Sequence, residues 1–182
     1  MAAAFCAEAT ATSVAGPGWP QVIVELCGFP GARVATAPTP DRIRRAFREL
    51  PLYRGEIRTD PETFTLVNLE TYFFCGDATG RGCAAIGEGE RTVTLLGQRV
   101  RIRPRIVGYA WGFGDGTGQD VTGERAAHTY RHALQATVTL TLTWTADYAL
   151  GGGAFQPIGD TTTTTSPPRL LPVREAQAVI VR

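Results

Sequence analysis

The sequence predicts a mainly β protein: an antiparallel β-sandwich that follows an N-terminal extension with one short helix. Two observations support this prediction. From Glu56 onward, short apolar runs are separated by Gly, Pro, Asn and Asp, and one run alternates apolar and polar residues without a break from Ala136 to Tyr148. Helical periodicity is found only near residues 40–50.

The N-terminal part divides into two segments. Residues 1–38 are rich in Ala, Thr, Gly and Pro and are expected to form a loosely ordered arm. Residues 39–90 form an accessory segment with a helix at about 40–50 and short strands, before a sandwich at 91–182. Thr39 can cap the helix and Pro40 suits its first position. Its apolar stripe, which Pro51 ends, contains Ile43, Phe47 and Leu50.

Four arginines occupy the remaining faces of this helix, namely Arg42, Arg44, Arg45 and Arg48. They are consistent with a basic helix that binds a partner or with a solvated outer face. The solvated face is the simpler interpretation.

Several short strands are expected before the long alternating run. They include Phe64–Leu69, Tyr72–Phe74 and a hairpin whose arms are Arg91–Leu96 and Arg99–Arg103. Pro104 indicates an edge or a bulge, after which the apolar parity moves to Val107, Tyr109, Trp111 and Phe113.

The run from Ala136 to Tyr148 places apolar residues on one face and mostly Thr on the other. Because few strands are so long, we expect it to bend or to split between two sheets. A strand within 155–165 and a last apolar strand at 176–181 complete the prediction.

Composition excludes several classes of protein. The chain has 182 residues, of which 43% are hydrophobic and 19% charged, and its net charge is +1. Such a balance gives no global attraction to nucleic acid or to a membrane. No apolar run approaches the roughly 20 residues of a membrane-spanning helix. We therefore expect neither nucleic acid as a partner nor a membrane span.

The four cysteines, Cys6, Cys27, Cys75 and Cys83, match no C-x-x-C metal or redox pattern. We favour disulfides, with Cys75–Cys83 and Cys6–Cys27 as the natural pairs, over four free thiols in a cytosolic protein. Disulfides imply an oxidising compartment and hence an extracellular or cell-surface location. The first residues do not resemble a signal peptide, since they lack a basic start and a long apolar run.

The most specific motif combines alternating aromatic residues with a glycine-rich turn. Its residues are Tyr109, Trp111, Phe113, Gly114, Asp115 and Gly116, followed by His128 and Tyr130. The motif and the strand after it resemble the PKD domain, an immunoglobulin-like seven-stranded sandwich of surface and secreted proteins. The resemblance covers about half the chain, from about Arg91 to Arg182. Leu50–Leu52 and Thr65–Leu69 are similar to secreted actinobacterial proteins that contain PKD domains.

This copy departs from the usual pattern at two places. Gly112 stands where the family usually has Asp, and Leu134-Gln135-Ala136 replaces Gly-x-Tyr before the next strand. The resemblance implies that the motif residues are structural, and that the Tyr130 hydroxyl bonds to backbone as in a tyrosine corner.

Three groups of residues are candidates for binding or chemistry. Asp115 and Asp120 could begin a calcium loop, although a turn capped by a side chain is the simpler interpretation. His128 could be a general base, but we expect a structural histidine bonded to backbone. Trp19 could stack on sugar rings or anchor a partner, or fold onto the sandwich.

Alternate arginines on one strand form a further candidate, a one-sided basic row of Arg99, Arg101, Arg103 and Arg105. Such a row could bind nucleic acid. The favoured alternative is a solvent face paired with Thr or acidic neighbours, which also protects a sheet edge.

These features favour a non-enzymatic extracytoplasmic module that acts as a spacer or as an adhesion surface for cell-wall carbohydrate or protein. No catalytic residue and no cofactor are indicated. The alternatives are a calcium-dependent binding module, or an enzyme of unknown class that uses Glu70, Asp77 or Glu175.

Overall fold

A computed structural model describes residues 37–176. Several predictions therefore fall outside the described residues: nearly all of the arm at 1–38, with Trp19, Cys6 and Cys27, and nearly all of the last strand at 176–181. Within them, no helix is both long and apolar enough to cross a membrane.

The described part is mainly β, with two short helices. The helices are α1 (Pro40–Arg48) and α2 (Cys83–Gly87). The strands are β1 (Ile57–Asp60), β2 (Thr65–Leu66), β3 (Glu70–Cys75), β4 (Arg91–Leu95), β5 (Gln98–Gly112), β6 (Gly118–Val121), β7 (Arg125–Thr129), β8 (Leu134–Leu150), β9 (Gln156–Pro157), β10 (Thr162–Thr165) and β11 (Arg169–Arg174).

These strands form two sheets. The smaller sheet has three antiparallel strands in the order β1-β3-β7. The larger has eight strands around the path β2-β11-β8-β5-β4, with β6 added to β5 and with β9 and β10 added to β8. The expectation of a wholly antiparallel arrangement is wrong at one place, because β2 and β11 run parallel.

The long alternating run forms one uninterrupted strand. β8 has 17 residues, buries alternate side chains and stays in the larger sheet throughout, so it does not split between two sheets, which is one of the two alternatives that its length predicts. One edge of β8 pairs with β5 from Thr139 to Leu150. Along its other edge, β8 pairs in turn with β11, β10 and β9. Three short strands thus supply the pairing for one long edge.

The change of parity in β5 occurs later than the sequence predicts. Pro104 is buried and pairs in register with Ala146 of β8. The register instead shifts between Ile106 and Gly108, which leaves Val107 46% exposed. Because the bulge adds one residue to β5, the inward-pointing positions change from even-numbered to odd-numbered residues. Both halves of β5 therefore bury their large side chains.

The predicted hairpin is confirmed as β4 and β5. Its turn lies one residue earlier than expected, at Leu96 and Gly97, where φ is 52° and 77°. Two successive residues with positive φ are typical of a type I′ turn, whose twist matches that of the paired strands.

Helix α1 is also confirmed, and it buries Ile43 and Phe47. The side chain of Thr39 makes no capping bond, although its carbonyl oxygen accepts the first helical bond from Ile43. The prediction missed α2 and also β11, which contains Pro172 and follows two other prolines.

Residues 39–90 contribute strands to both sheets. β1 and β3 form the smaller sheet with β7, and β2 extends the larger sheet beside β11. The segment therefore shares both sheets with the strands that follow it.

The two sheets pack through aromatic side chains. Phe73 of β3 lies 5.1 Å from Phe113 and 6.0 Å from Trp111, measured between ring centroids. Trp144 of β8 is fully buried, and its Nε1 donates to Thr164 at 2.9 Å. A Cβ on Gly87 would lie 2.6 Å from this indole ring, so the ring fits only against glycine there.

The predicted disulfide between Cys75 and Cys83 is confirmed. Both cysteines are buried, and they close the glycine-rich loop between β3 and α2. The chain before β1 crosses this bond at Gly55, where φ is 82° and a Cβ would lie 3.1 Å from the sulfur of Cys75. The disulfide is thus part of the core as well as a loop closure.

We expect the double variant Cys75→Ala and Cys83→Ala to lower the free energy of unfolding by about 2–3 kcal/mol, because a closed loop of this size limits the unfolded chain. Denaturant titration of the oxidised wild-type and variant proteins measures the difference. Equal midpoints, or four titratable thiols in the denatured wild-type protein without reductant, would contradict the expectation.

Candidate functional site

The glycine-rich turn of the sequence motif is fixed against β8. Gly114 has a φ of 81°, and a Cβ on it would lie 2.4 Å from the backbone nitrogen of Thr137. Gly116 also has positive φ, at 88°, but has open space around it. The amide of Phe113 donates to the Thr117 carbonyl at 3.0 Å and closes the turn. The first glycine is therefore required for packing, and the second only for backbone conformation.

Asp115 and His128 form a partly buried pair. The Oδ2 of Asp115 lies 2.7 Å from the Nε2 of His128, and the two side chains are 20% and 17% exposed. An ionised carboxylate only accepts, so this nitrogen carries a proton. Burial tends to raise the pKa of Asp115, but bonds from Thr117 and His128 outweigh it and hold the pKa below its usual value.

Aromatic rings hold this histidine from two sides. The imidazole stacks on Phe113 at 4.3 Å between centroids, and Tyr130 meets it edge-on at 4.7 Å. The Tyr130 hydroxyl donates to the carbonyl of Phe113 at 2.9 Å, the kind of backbone partner expected for it. The expectation that His128 itself bonds to backbone is wrong, because its partner is a carboxylate.

The proposed calcium loop has few free oxygen ligands. Oδ1 of Asp115 accepts from the amide and hydroxyl of Thr117, at 3.0 and 2.6 Å, while Oδ2 faces His128. Asp120 lies on β6, opposite Ala110. In residues 37–176 no three His, Cys, Asp or Glu side chains are grouped as a metal site would need.

Two of the three carboxylates proposed for an enzyme, Glu70 and Asp77, lie at opposite ends of β3. Glu70 begins β3 and accepts from the Tyr72 hydroxyl, which raises the pKa of that tyrosine. Asp77 lies beyond the other end of β3, where bonds from Thr79 and Arg81 hold its pKa well below the usual range. Glu175 follows β11.

Three of the four arginines in the row on β5 are paired with carboxylates. Arg103 and Arg101 approach Glu90 at 2.9 and 3.7 Å, and Arg105 approaches Asp147 at 3.0 Å. Arg101 also donates to the carbonyls of Gly151 and Gly153. These contacts agree with a solvent face paired to acidic neighbours, rather than with a row of free cations.

A different surface combines partly exposed aromatic and basic groups: the outer face of the three-stranded sheet. Register places Phe74 directly between Arg58 of β1 and Arg125 of β7, with Tyr72 next along β3 on the same side. The intervening residues Phe73 and Cys75 point into the core. We call Arg58, Tyr72, Phe74 and Arg125 the aromatic face.

Arg125 gives this face a fixed polar group. Its guanidinium lies 4.6 Å from the centroid of Tyr72 and 4.9 Å from that of Phe74. No carboxylate of the described residues lies within 4.0 Å of Arg125, whereas Arg58 approaches Glu62 at 3.1 Å. A stacked guanidinium retains its in-plane donors, so it can bond to a ligand that contacts the rings.

A cavity of about 330 Å³ continues the aromatic face toward the disulfide. It is lined by Phe74, Arg58 and Arg125, by the glycines of the loop closed by Cys75–Cys83, and by Glu124. Glu124 is held in place, since it accepts from the amide of Ala84 at 2.6 Å. The cavity therefore offers both donors and acceptors.

Sequence reasoning missed this face. The alternation of Tyr72 and Phe74 around Phe73 was visible, and a two-residue period predicts that both rings share one side. The positions of Arg58 and Arg125 depend on the register of β1 and β7 on β3, and nothing local in the sequence fixes that register.

The sequence matches no protein-family model. It also has no significant match among curated proteins. Functional inference therefore depends on the geometry of the chain itself.

We expect Gly114→Ala to be more destabilising than Gly116→Ala. Both changes force alanine into positive φ, which costs about 1–2 kcal/mol, but only the methyl group added at Gly114 would collide with the backbone of β8. The collision should add about 1–3 kcal/mol. Thermal unfolding of both variants measures the difference, and equal loss of stability would show that the turn does not pack on β8 as described.

We expect Asp115→Asn to lower the free energy of unfolding at pH 7 by about 1.5–3 kcal/mol, the usual contribution of hydrogen bonds to a charged group. A lowered folded-state pKa contributes stability above the ordinary Asp value of about 3.9, and that stability is lost as the pH falls through the lowered value. The difference between wild type and variant should therefore shrink as the pH falls below about 5.

Asp120→Asn is the matched control for this change, because Asp120 is exposed on β6. Urea titrations across this pH range compare the three proteins. A difference between wild type and Asp115→Asn that does not change with pH would rule out the ionised carboxylate as its cause.

Proposed function

We propose that this chain is a non-enzymatic extracytoplasmic module that binds neutral polysaccharide through its aromatic face. The observation that carries the proposal is the pair of rings, Tyr72 and Phe74, on the solvent side of a sheet with arginines on both flanks. We further propose that the two sheets form an immunoglobulin-like sandwich of the PKD type.

Two contacts support the proposed architecture. The smaller sheet packs its Phe73 against Trp111 and Phe113 of the larger sheet, as the inner faces of a sandwich do. The bond from Tyr130 to the backbone of Phe113 is analogous to a tyrosine corner. The motif residues then hold the fold together, while the ligand is bound elsewhere.

The disulfide supports an extracytoplasmic location. Cys75 and Cys83 form a buried bond, and such bonds persist mainly in oxidising compartments. The same bond supports binding, since it closes the loop that lines the cavity beside the aromatic face and limits how far that loop can move.

Aromatic and planar polar groups together suit a sugar. A pyranose has an apolar face of C–H groups that can stack on a ring, and a rim of hydroxyls that bond to planar side chains. Tyr72 and Phe74 supply the rings. Arg125 supplies donors, and Glu124 supplies an acceptor in the adjoining cavity.

Local charge favours a neutral ligand. Carboxylates surround the arginines: Asp60 lies opposite Tyr72, Glu62 is paired with Arg58, and Glu70 bonds to Tyr72. A polyanion such as nucleic acid would meet these groups at close range. The same carboxylates do not oppose a polysaccharide that carries no charge.

We propose no catalytic role for Asp115 and His128, because each of them already bonds to the other. The carboxylate of Asp115 and the proton of His128 satisfy each other, and the imidazole is packed between Phe113 and Tyr130. A general base needs access to a substrate proton. Here the geometry favours a structural pair.

We expect the wild-type protein to be retained by an insoluble neutral polysaccharide, tested separately with cellulose, chitin and xylan. The variants Tyr72→Ala and Phe74→Ala should each weaken retention by about three- to tenfold, because a ring contact contributes about 0.5–1.5 kcal/mol. Depletion isotherms on each polymer measure the dissociation constant. Binding to at least one polymer should change little between low and high salt.

Phe64→Ala is the matched control. Phe64 is 39% exposed and has Arg174 stacked on it, so it is a similar aromatic–arginine pair outside the aromatic face. Retention of all variants equally, or no retention of the wild type on any of the three polymers, would reject the proposal. Retention that requires calcium and is lost with a chelator would support the calcium-dependent alternative instead.

A further inference from the structure

The eight-stranded sheet ends at β4 with an open edge. β4 pairs with β5 along Arg91–Leu95, and no strand of residues 37–176 pairs with its other side. Its side chains Val93 and Leu95 pack against the core, so the strand is held firmly. An open edge of this kind presents unpaired backbone donors and acceptors in a regular row.

Helix α1 lies beside this edge and forms a groove with it. The groove has a volume of about 570 Å³. Its strand side consists of Thr94, Leu95 and Leu96, and its helix side includes Arg42, Arg45, Ala46 and Glu49. These helix residues recur at spacings of three and four, so one continuous face of α1 borders the groove.

We propose that this groove binds an extended acidic peptide of a partner protein, which adds as a strand to the open edge of β4. The backbone of the peptide would pair with β4, and its alternate side chains would enter the groove between β4 and α1. This is β-strand addition, in which main-chain bonds supply affinity and the adjoining groove supplies selectivity.

The charged side chains that border the groove favour an acidic peptide over a basic one. Arg42 and Arg45 are exposed and have no carboxylate within 4.0 Å among the described residues. Asp41, which also borders the groove, is already bonded to Arg44 at 2.6 Å. Two unpaired guanidinium groups therefore face one unpaired carboxylate, that of Glu49.

Apolar contacts add a second requirement. Leu96 is 48% exposed at the turn after β4, and Leu95 and Ala46 are half-buried in the groove. A peptide side chain that enters between them would bury apolar surface. The alternate peptide positions that enter the groove should therefore include both Asp or Glu and β-branched or aliphatic residues.

The test selects nonapeptides from a random phage-displayed library on the immobilised full chain. We expect enrichment of acidic and β-branched residues. A synthetic, labelled copy of the most enriched peptide should bind in fluorescence anisotropy with a dissociation constant below about 100 µM. Its binding should slow hydrogen exchange of the β4 amides Arg91–Leu95.

Arg45→Glu should weaken this peptide about tenfold or more, since a like charge replaces the complementary one. Arg131→Glu makes the same change of net charge at an exposed site between β7 and β8, and should leave the affinity within about twofold. N-methylation of one set of alternate peptide amides should abolish binding, and N-methylation of the other set should leave binding unchanged. The reason is that an added strand bonds to the sheet edge through every second amide.

Three results would overturn the proposal: no selected peptide that binds below about 100 µM, bound peptide that leaves the β4 amides unprotected, or equal affinities for Arg45→Glu and Arg131→Glu. A concentration-dependent dimer that protects β4 without peptide would assign the groove to a second copy of this chain. The polysaccharide experiment does not involve this groove, so either proposal can fail alone.

Discussion

The pairing of β5 with β8 is the constraint on which the rest of the structure depends. The two strands run side by side from Val100 opposite Leu150 to Gly112 opposite Thr139. Every other strand of the larger sheet joins one of these two, directly or through β11. Their inner side chains, among them Trp111 and Trp144, form the surface against which the smaller sheet and α1 pack. The bulge at Val107 keeps that surface apolar along the full length of β5.

Local patterns predicted the parts of the fold that depend on local physics. Strict alternation predicted β8, a Pro at the first helical position and an apolar stripe predicted α1, and a short glycine-rich loop between two cysteines predicted its disulfide. The sequence patterns did not predict structural features that depend on contacts between segments far apart in the chain. The strand β11 contains a proline that only its tertiary position accommodates, and the aromatic face exists because β1 and β7, far apart in sequence, pair with opposite edges of β3.

Polar side chains that bond to each other and polar side chains that retain free donors lie in different parts of the structure. Two groups that resemble a reactive site, Asp115 and His128, bond to each other, and the imidazole packs against Phe113 and Tyr130. Groups that retain free donors lie at the sheet surfaces, as Arg125 does on the smaller sheet and Arg45 does beside β4. An arrangement of this kind allows the binding residues to change while the residues that hold the sheets together stay constant.

The smaller sheet also determines where this chain can be divided. Its β7 lies within residues 91–182, the part that we propose to be of the PKD type, but the strand that pairs with β7 is β3, which comes from the preceding segment and carries Cys75. A fragment that began at Arg91 would therefore keep the motif residues but lose β3 and the disulfide between Cys75 and Cys83. It would expose β7 without its sheet neighbour and uncover Phe113, which makes self-association through that strand the expected fate. We therefore expect the part of the chain that folds on its own to extend beyond residues 91–182.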